Sequence, residues 1–304
     1  MADVLIRQMK KEDIKDIIQW TSEEGWSLTA FDLGVFRECH PQDFFVAEVG
    51  GRPVGTIGAL RNDDSTGILG CFIVNKEFRG TGIGRKLMKK ALDCLDLSEG
   101  RHVCVNSMED VLPLYVKHGF TEFAFDVIVC KGSLDAEKVK KLSSEGVQVK
   151  RITRDNLPLL VKYASRVLKN TDWSKYFQIF VENEDVVACV ALKASGAGGE
   201  GDTVVGVGMA TPDNPDVNVG CVVQPLYADS LEIAGVIVKF LHENQPLMST
   251  SMKIKVLSTN PKGVELVSKL SLPELRRLKR QYFGGYRDTP AEVFSISNSD
   301  VHLY

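Results

Sequence analysis

Hydrophobic positions along the chain switch repeatedly between two periods. Residues 3–9 read as a short strand. In "KEDIKDIIQWTSEEGW", Ile14, Ile17, Ile18 and Thr21 recur at helical spacing, and "LTAFDLGVFREC" repeats the pattern with Phe31, Val35 and Phe36. "DFFVAEVGGRPVGTIGAL" predicts a hairpin, its Gly50–Gly51 pair lying between two β-rich runs. "GILGCFIV" has no alternation, as expected of a strand buried on both faces. Next, Ile83, Leu87, Ala91 and Leu95 make one apolar helix face, with Lys86, Lys89, Lys90 and Asp93 turned away. A strand "RHVCVNSM", a short helix "VLPLYVKHG" ending at Gly119 and a strand "FTEFAFDVIVCKG" follow.

The polar stretch "SLDAEKVKKLSSEG" is expected to be a linker, with room for a short helix. A second, similar order of elements begins after it. "VQVKRIT" predicts a strand and "DNLPLLVKYASRVL" a helix. "YFQIFVEN" and "VVACVALKA" are expected to form a hairpin, and "SGAGGEGDT" a flexible loop. "TVVGVGMAT" and "VNVGCVV" predict strands, "LYADSLEIAGVIVKFLHEN" a long helix, "MKIKVLST" a strand, "PKGVELVSKLS" a helix and the tail a strand. No residue-level repeat accompanies this parallel order. Both halves mix strands with helices, so the expected fold class is α/β.

Composition narrows the function classes. The 304 residues are enough for two domains. A net charge of −3 and a pI near 6.0 argue against a general nucleic-acid or anionic-membrane surface. No apolar run approaches the ~20 residues of a membrane span, and "MADVLIRQMKKED" lacks the apolar core of a secretory leader. The seven cysteines are odd in number and form no CxxC pair. They are expected as reduced core residues of a cytoplasmic protein, and the scattered histidines suggest no metal site.

The chemistry concentrates in "FRGTGIGRKLM". A buried strand, a glycine-rich turn and a helix start bring free backbone N–H groups and a positive helix end to one point, which suits a phosphate or pyrophosphate. Arg79 and Arg85 add fork-shaped donors. The alternative is a tight turn with solvated basic residues. A Walker loop is excluded because Lys86 is wrongly spaced and followed by Leu87. A dinucleotide loop is excluded because the glycines read GxGxG and follow the fourth strand.

"FIVNKEFRGTGIGRKLM" resembles the [RQ]xxGx[GA] signature of the GCN5-related N-acetyltransferase (GNAT) superfamily, with Arg79, Gly80, Thr81, Gly82, Ile83 and Gly84 in the motif; "PLYVKHGF" resembles a second signature. "EGWSLTAFDLGVFRECHPQDFFVAEVGGRPVGTI" and the tail "RQYFGGYRDTPAEVFSIS" look like a two-domain, YitH-like subgroup. The resemblance implies tandem GNAT-like domains, each a mixed, mostly antiparallel sheet flanked by helices: 1–134 the acetyl-CoA domain, 135–147 a linker, and 148–304 a C-terminal domain without the phosphate loop. It implies that the loop amides hold the acetyl-CoA pyrophosphate, and that Phe72, Ile73 and Val74 pair through their backbone with the pantetheine arm. Many members place Asn seven residues before the tyrosine of the second signature. Here that position is Met108, and Asn106, two residues earlier, is the pantetheine candidate.

Acetyl transfer to an amine needs a neutral amine, a polarised thioester and a proton for the departing thiolate. Tyr115 matches the family's tyrosine acid; its alternative is an aromatic packing role. Glu23, Glu24 and Asp32 border the expected acceptor pocket as base or acceptor contacts, or are solvated helix charges. Trp26 lines that pocket or plugs the core. Cys71 is read as a structural thiol, and Arg287 and Asp288 as turn residues or acceptor contacts. In the second half Gln224 and Pro225 stand where the glycine loop is expected. The expected function is acetyl transfer from acetyl-CoA to a primary amine of a small metabolite, by a monomer or weak homodimer. Protein lysine acetylation and a non-catalytic CoA-binding module are the alternatives.

Overall fold

The computed structural model describes residues 3–26, 28–98, 100–169, 172–194, 202–213, 220–245 and 251–298. The expected α/β fold is present. Along the chain run β1 (Val4–Gln8), α1 (Ile14–Glu23), α2 (Ala30–Cys39), β2 (Phe44–Val49), β3 (Arg52–Arg61), β4 (Thr66–Val74), α3 (Ile83–Leu95), β5 (His102–Ser107), α4 (Leu112–Val116) and β6 (Glu122–Gly132). Then come α5 (Ala136–Lys140), β7 (Val147–Arg151), α6 (Leu157–Leu168), α7 (Ser174–Glu182), β8 (Val187–Lys193), β9 (Thr203–Pro212) and β10 (Cys221–Ala228). The chain continues through α8 (Leu231–Asn244), β11 (Met252–Leu257), α9 (Pro261–Lys269), β12 (Glu274–Phe283) and β13 (Val293–Ser295).

The chain divides into two compact units. Unit 1 is built from Met1–Ala124 and Lys279–Arg287. Its strands run in the order β1-β2-β3-β4-β5-β12, antiparallel except for the β4–β5 pair. On one face the apolar stripe of α3 (Ile83, Leu87, Met88, Ala91, Leu95) packs with Phe45, Ala47, Ile57, Ala59, Leu69, Val103 and Val105. Each fully buried Val, Leu, Ile, Phe or Met side chain among these stabilises by roughly 1.5–3 kcal/mol. Helices α1 and α2 bury Ile14, Ile17, Trp20, Leu33, Val35 and Phe36.

Unit 2 is built from Phe125–Leu278 and Asp288–Ser299. Its strand order is β7-β8-β9-β10-β11-β6, antiparallel except for β10–β11. Helix α8 packs Ile233, Ala234, Ile237, Val238 and Leu241 into its core. The two orders correspond strand for strand, except at the end. Unit 1 closes on β12, from late in the chain, and unit 2 closes on β6, from its first half.

Two local expectations are corrected. "YFQIFVEN" is helical, within α7. Its aromatics favour strands intrinsically, yet Tyr176, Phe177 and Phe180 are spaced to share a helix face, and all three are buried. The Trp173 and Tyr176 rings meet at 5.7 Å, and those of Tyr176 and Phe180 at 4.3 Å. Just before the helix, Asp172 Oδ1 accepts the Ser174 N–H at 2.9 Å. Gln224 and Pro225 lie inside β10, so they are strand residues rather than a replaced loop. Most of the loop expected at 195–203 and positions 217–219 of the expected strand lie outside the described residues.

A fragment comprising residues 1–134 has β5 but lacks Lys279–Phe283, which pair with it from Ser107 to Val103. That fragment should melt without a cooperative transition by circular dichroism. Fusing residues 279–287 after residue 124 through a glycine–serine linker should restore the transition. Cooperative melting of 1–134 alone would show that β12 is dispensable.

Candidate functional site

The site begins where two parallel strands separate. Asp63 fixes the turn into β4: its Oδ1 accepts the backbone N–H groups of Ser65 and Thr66, each at 2.7 Å, and its Oδ2 accepts the Thr66 hydroxyl at 2.6 Å. From there β4 pairs with β5 only from Thr66–His102 to Leu69–Val105. On its other edge, Gly58 faces Gly70 but Thr56 faces Ile73, so β4 carries an extra residue. This bulge centres on Cys71, whose φ of 50° is the left-handed conformation that a bulge imposes. Cys71 is 1% exposed, in keeping with its reading as a structural thiol. Beyond the bulge β4 runs on through Phe72, Ile73 and Val74 while its ladder with β5 has ended.

The strand delivers the chain into the glycine loop. Gly80 and Gly82 have φ of 78° and 88°, and a Cβ at either would meet nothing within 4 Å. The glycines therefore serve backbone conformation and leave open space over the loop. Thr81 donates its hydroxyl to the Phe78 carbonyl at 2.6 Å, closing the turn. Gly82 is the N-cap of α3 and supplies no side-chain cap. The first-turn amides of α3 have no intrahelical acceptor, and they sit at its positive end. Ile83 is buried beneath them, and Arg85 is exposed. At Gly84 a Cβ would lie 3.4 Å from Phe72 and 3.6 Å from Val74, so the helix start rests against the end of β4.

Arg79 is engaged more closely than its sequence context suggests. Its Nε donates to the Val74 carbonyl at 3.0 Å and its Nη2 to Glu24 Oε1 at 2.8 Å. Lys76 Nζ lies 3.6 Å from both Glu23 and Glu24. The Arg79 hydrogen bond holds the Glu24 carboxyl below the usual carboxylate range, which weakens Glu24 as a base. Glu23 is exposed at the end of α1. Trp26 is half-buried, and its backbone N–H donates to the Thr21 carbonyl at 2.9 Å. Asp32 is buried at 3% exposure in the first turn of α2, where its N–H donates to the Thr29 hydroxyl at 3.0 Å. The reading of Asp32 as a solvated charge is thus replaced by a buried one.

Tyr115, on α4, is 8% exposed and meets the Phe120 ring edge-on at 6.2 Å. Asn106, on β5, is the first residue past the last β4–β5 pair, and its Oδ1 accepts from Arg280 Nε at 2.9 Å. Arg280 was not singled out from the sequence, because nothing local marks a partner 174 positions away. Met108 is exposed. Arg287 donates to the Ser65 hydroxyl at 3.1 Å, beside the turn that feeds β4. Among the described residues no group of three His, Cys, Asp or Glu side chains is placed to hold a metal, and no helix is long and apolar enough to cross a membrane.

These features fit a pyrophosphate ester with an extended amide arm. The loop offers amides and an unobstructed cradle for the anion, and the β4 edge past Leu69 offers main-chain pairing for the arm.

The corresponding place in unit 2 is occupied by the protein itself. The β10–β11 ladder ends at Val223–Ile254. There β13 pairs with β10 at Leu226–Ser295 and Tyr227–Val293. On its other side Ile296 N–H donates to the Lys255 carbonyl at 3.1 Å. Ser295 Oγ accepts the Lys255 N–H at 3.1 Å and donates to the Val223 carbonyl at 2.9 Å. The start of α8 is capped by its own Ser230 hydroxyl, which accepts the Ile233 N–H at 3.3 Å.

Comparisons with known proteins agree with this layout. Residues 11–120 match the Acetyltransferase (GNAT) family. A curated holothin acyltransferase from a Pseudoalteromonas species is 24% identical over 157 residues, which are 51% of this chain and 50% of that protein. The chain thus aligns with about half the length of this relative. Among solved structures, a candidate acetyltransferase from Pyrococcus horikoshii superposes with a TM-score of 0.73 at 15% identity, covering 98% of this chain and 95% of the other. A tandem GNAT protein from the clavulanic acid biosynthesis pathway gives a TM-score of 0.65 at 13% identity, covering 94% and 100%. At these identities the structures speak for the fold.

Because the second fork is filled and its helix self-capped, calorimetric titration of the full-length chain with CoA should saturate at one equivalent. Two equivalents would mean that β13 yields its place.

Proposed function

We propose that the chain is an acyltransferase that moves an acetyl group from acetyl-CoA to a primary amine of a small metabolite, a reading supported by the match of residues 11–120 to the Acetyltransferase (GNAT) family. The observation that carries this reading is the open fork between β4 and β5, ending at a helix start whose amides have no side-chain cap. The name of the curated relative, an acyltransferase, supports acyl transfer as the reaction class.

Acetyl-CoA supplies an activated thioester. The chain's own groups do the rest. Amides at Gly80–Arg85 hold the pyrophosphate, and Arg85 adds exposed positive charge. The main chain at Phe72–Val74 aligns the pantetheine arm, and an N–H there polarises the thioester carbonyl. The Tyr115 hydroxyl gives its proton to the departing sulfur. Glu23 and Asp32 remain as acceptor-side carboxylates. Glu24 is the weaker choice, because Arg79 stabilises its charged form.

Two variants test the reading. Gly82→Asp places a side chain and a negative charge in the cradle at a φ of 88°, where non-glycine residues are strained. Acetyl-CoA affinity should fall at least tenfold, about 1.4 kcal/mol, while circular dichroism shows a folded protein. Unchanged affinity removes the loop assignment. Tyr115→Phe should lower kcat by about 10²-fold or more with acetyl-CoA binding nearly intact. Near-normal kcat, where chemistry limits the rate, returns Tyr115 to packing against Phe120. A CoA-release screen over small amines, polyamines and lysine peptides then identifies the acceptor.

A further inference from the structure

Side chains of opposite sign meet where β4 leaves the sheet. Arg79 Nη2 donates to Glu24 Oε1 at 2.8 Å, and Lys76 Nζ lies 3.6 Å from the same oxygen. Lys76 Nζ is also 3.6 Å from Glu23 Oε2. Glu24 is the C-cap of α1, so the cluster ties the end of that helix to the residue that opens the glycine loop.

Main-chain geometry fixes where the Arg79 guanidinium stands. The Asn75 N–H donates to the Val54 carbonyl at 2.9 Å, so the facing pair one step back, Gly55 and Val74, is a non-hydrogen-bonded pair. The Val74 N–H and C=O therefore point away from β3, to the side where the β5 ladder has ended. Arg79 Nε donates to that Val74 carbonyl at 3.0 Å. Gly84, in the first turn of α3, sits against the Val74 side chain. The guanidinium is thus anchored through Nε at the strand end, beside the start of α3, and Glu24 holds its Nη2.

The Glu24 contact is built to be exchanged. It is a single bond, whereas a phosphate takes a guanidinium through two parallel ones. The two side chains are 47% and 32% exposed, and ion pairs so placed add little stability. Lys76 stands near Glu24, so the carboxylate keeps a cation when it leaves Arg79. A carboxylate at this place also repels an incoming anion.

We propose that the Glu24–Arg79 pair is an autoinhibitory contact: Glu24 competes with the pyrophosphate of the acyl donor for Arg79, and yields by passing to Lys76. This rests on the acyl-transfer reading above. It makes the end of α1 a brake on cofactor entry, separate from the amides of the loop.

The test titrates the full-length chain with CoA by calorimetry at physiological salt, with circular dichroism confirming that each variant is folded. Glu24→Gln should bind CoA about two- to fivefold more tightly, the range of one exposed ion pair. Glu23→Gln removes the same charge one residue away, where it faces Lys76 only, and should change affinity by less than about twofold. The Glu24→Gln gain should vanish in an Arg79→Gln background, because no guanidinium is left to release. It should persist with dephospho-CoA, which keeps the pyrophosphate and lacks the 3′-phosphate. If Arg79→Gln does not fold, the Glu23→Gln and dephospho-CoA arms decide. Unchanged or weaker CoA binding by Glu24→Gln, an equal gain in Glu23→Gln, a gain that survives Arg79→Gln, or one lost with dephospho-CoA overturns the proposal. If the wild-type chain binds CoA and Gly82→Asp weakens it while Glu24→Gln is silent, only this inference falls. If the wild-type chain binds no CoA, the acyl-transfer reading falls with it.

Discussion

When two parallel strands separate, their main-chain donors and acceptors still need partners, and that requirement organises unit 1. Buried backbone groups are almost always paired. The bulge at Cys71 ends the β4–β5 ladder at Leu69, yet β4 continues for five residues. The strand then hands its direction to a loop in which Gly80 and Gly82 occupy left-handed conformations and α3 begins without a side-chain cap. Among the described residues, β4 past Leu69 has no ladder partner in β5, and α3 begins without a side-chain cap.

Unit 2 meets the same geometric problem and solves it internally. Its ladder between β10 and β11 also stops early, but β13 enters the gap and Ser295 bridges the two strands. Ser230 caps α8 where Gly82 leaves α3 bare. The contrast matters because both units use the same order of elements. Fold alone therefore predicts no ligand; what distinguishes the units is whether the chain supplies the missing partners from its own residues.

The parts legible in the sequence were those with local causes. The α3 stripe, the Gly50–Gly51 reversal and the glycine loop each follow from spacing within a few residues, and the structure reproduces them. Helix α7 was misread because aromatic and β-branched side chains favour strands on average, while the packing of the Trp173, Tyr176 and Phe180 rings decides locally. The pairing of Arg79 with Glu24 and of Arg280 with Asn106 left no trace, since each joins residues remote in sequence. The same holds for β12. Nothing in "ELRRLKRQYF" tells which ladder it joins, because apolar and polar positions fix the faces of a strand but not its neighbours.

That last ambiguity bears on the chemistry of the site. In unit 1 the edge of β5 is covered by Lys279–Phe283, and the same five residues carry Arg280 to Asn106. Covering an edge needs only backbone donors and acceptors, which any non-proline sequence provides. Directing an asparagine needs a particular side chain at a particular register, and a slip of one residue would turn Arg280 to the opposite face. Register in β12 therefore decides which side chain faces Asn106. The Gln281 bond to the Phe120 carbonyl pins that register from the adjacent position. Phe120 in turn packs edge-on against both Tyr115 and Phe283. One strand position thus links the edge of the sheet, the orientation of Asn106 and the packing around Tyr115.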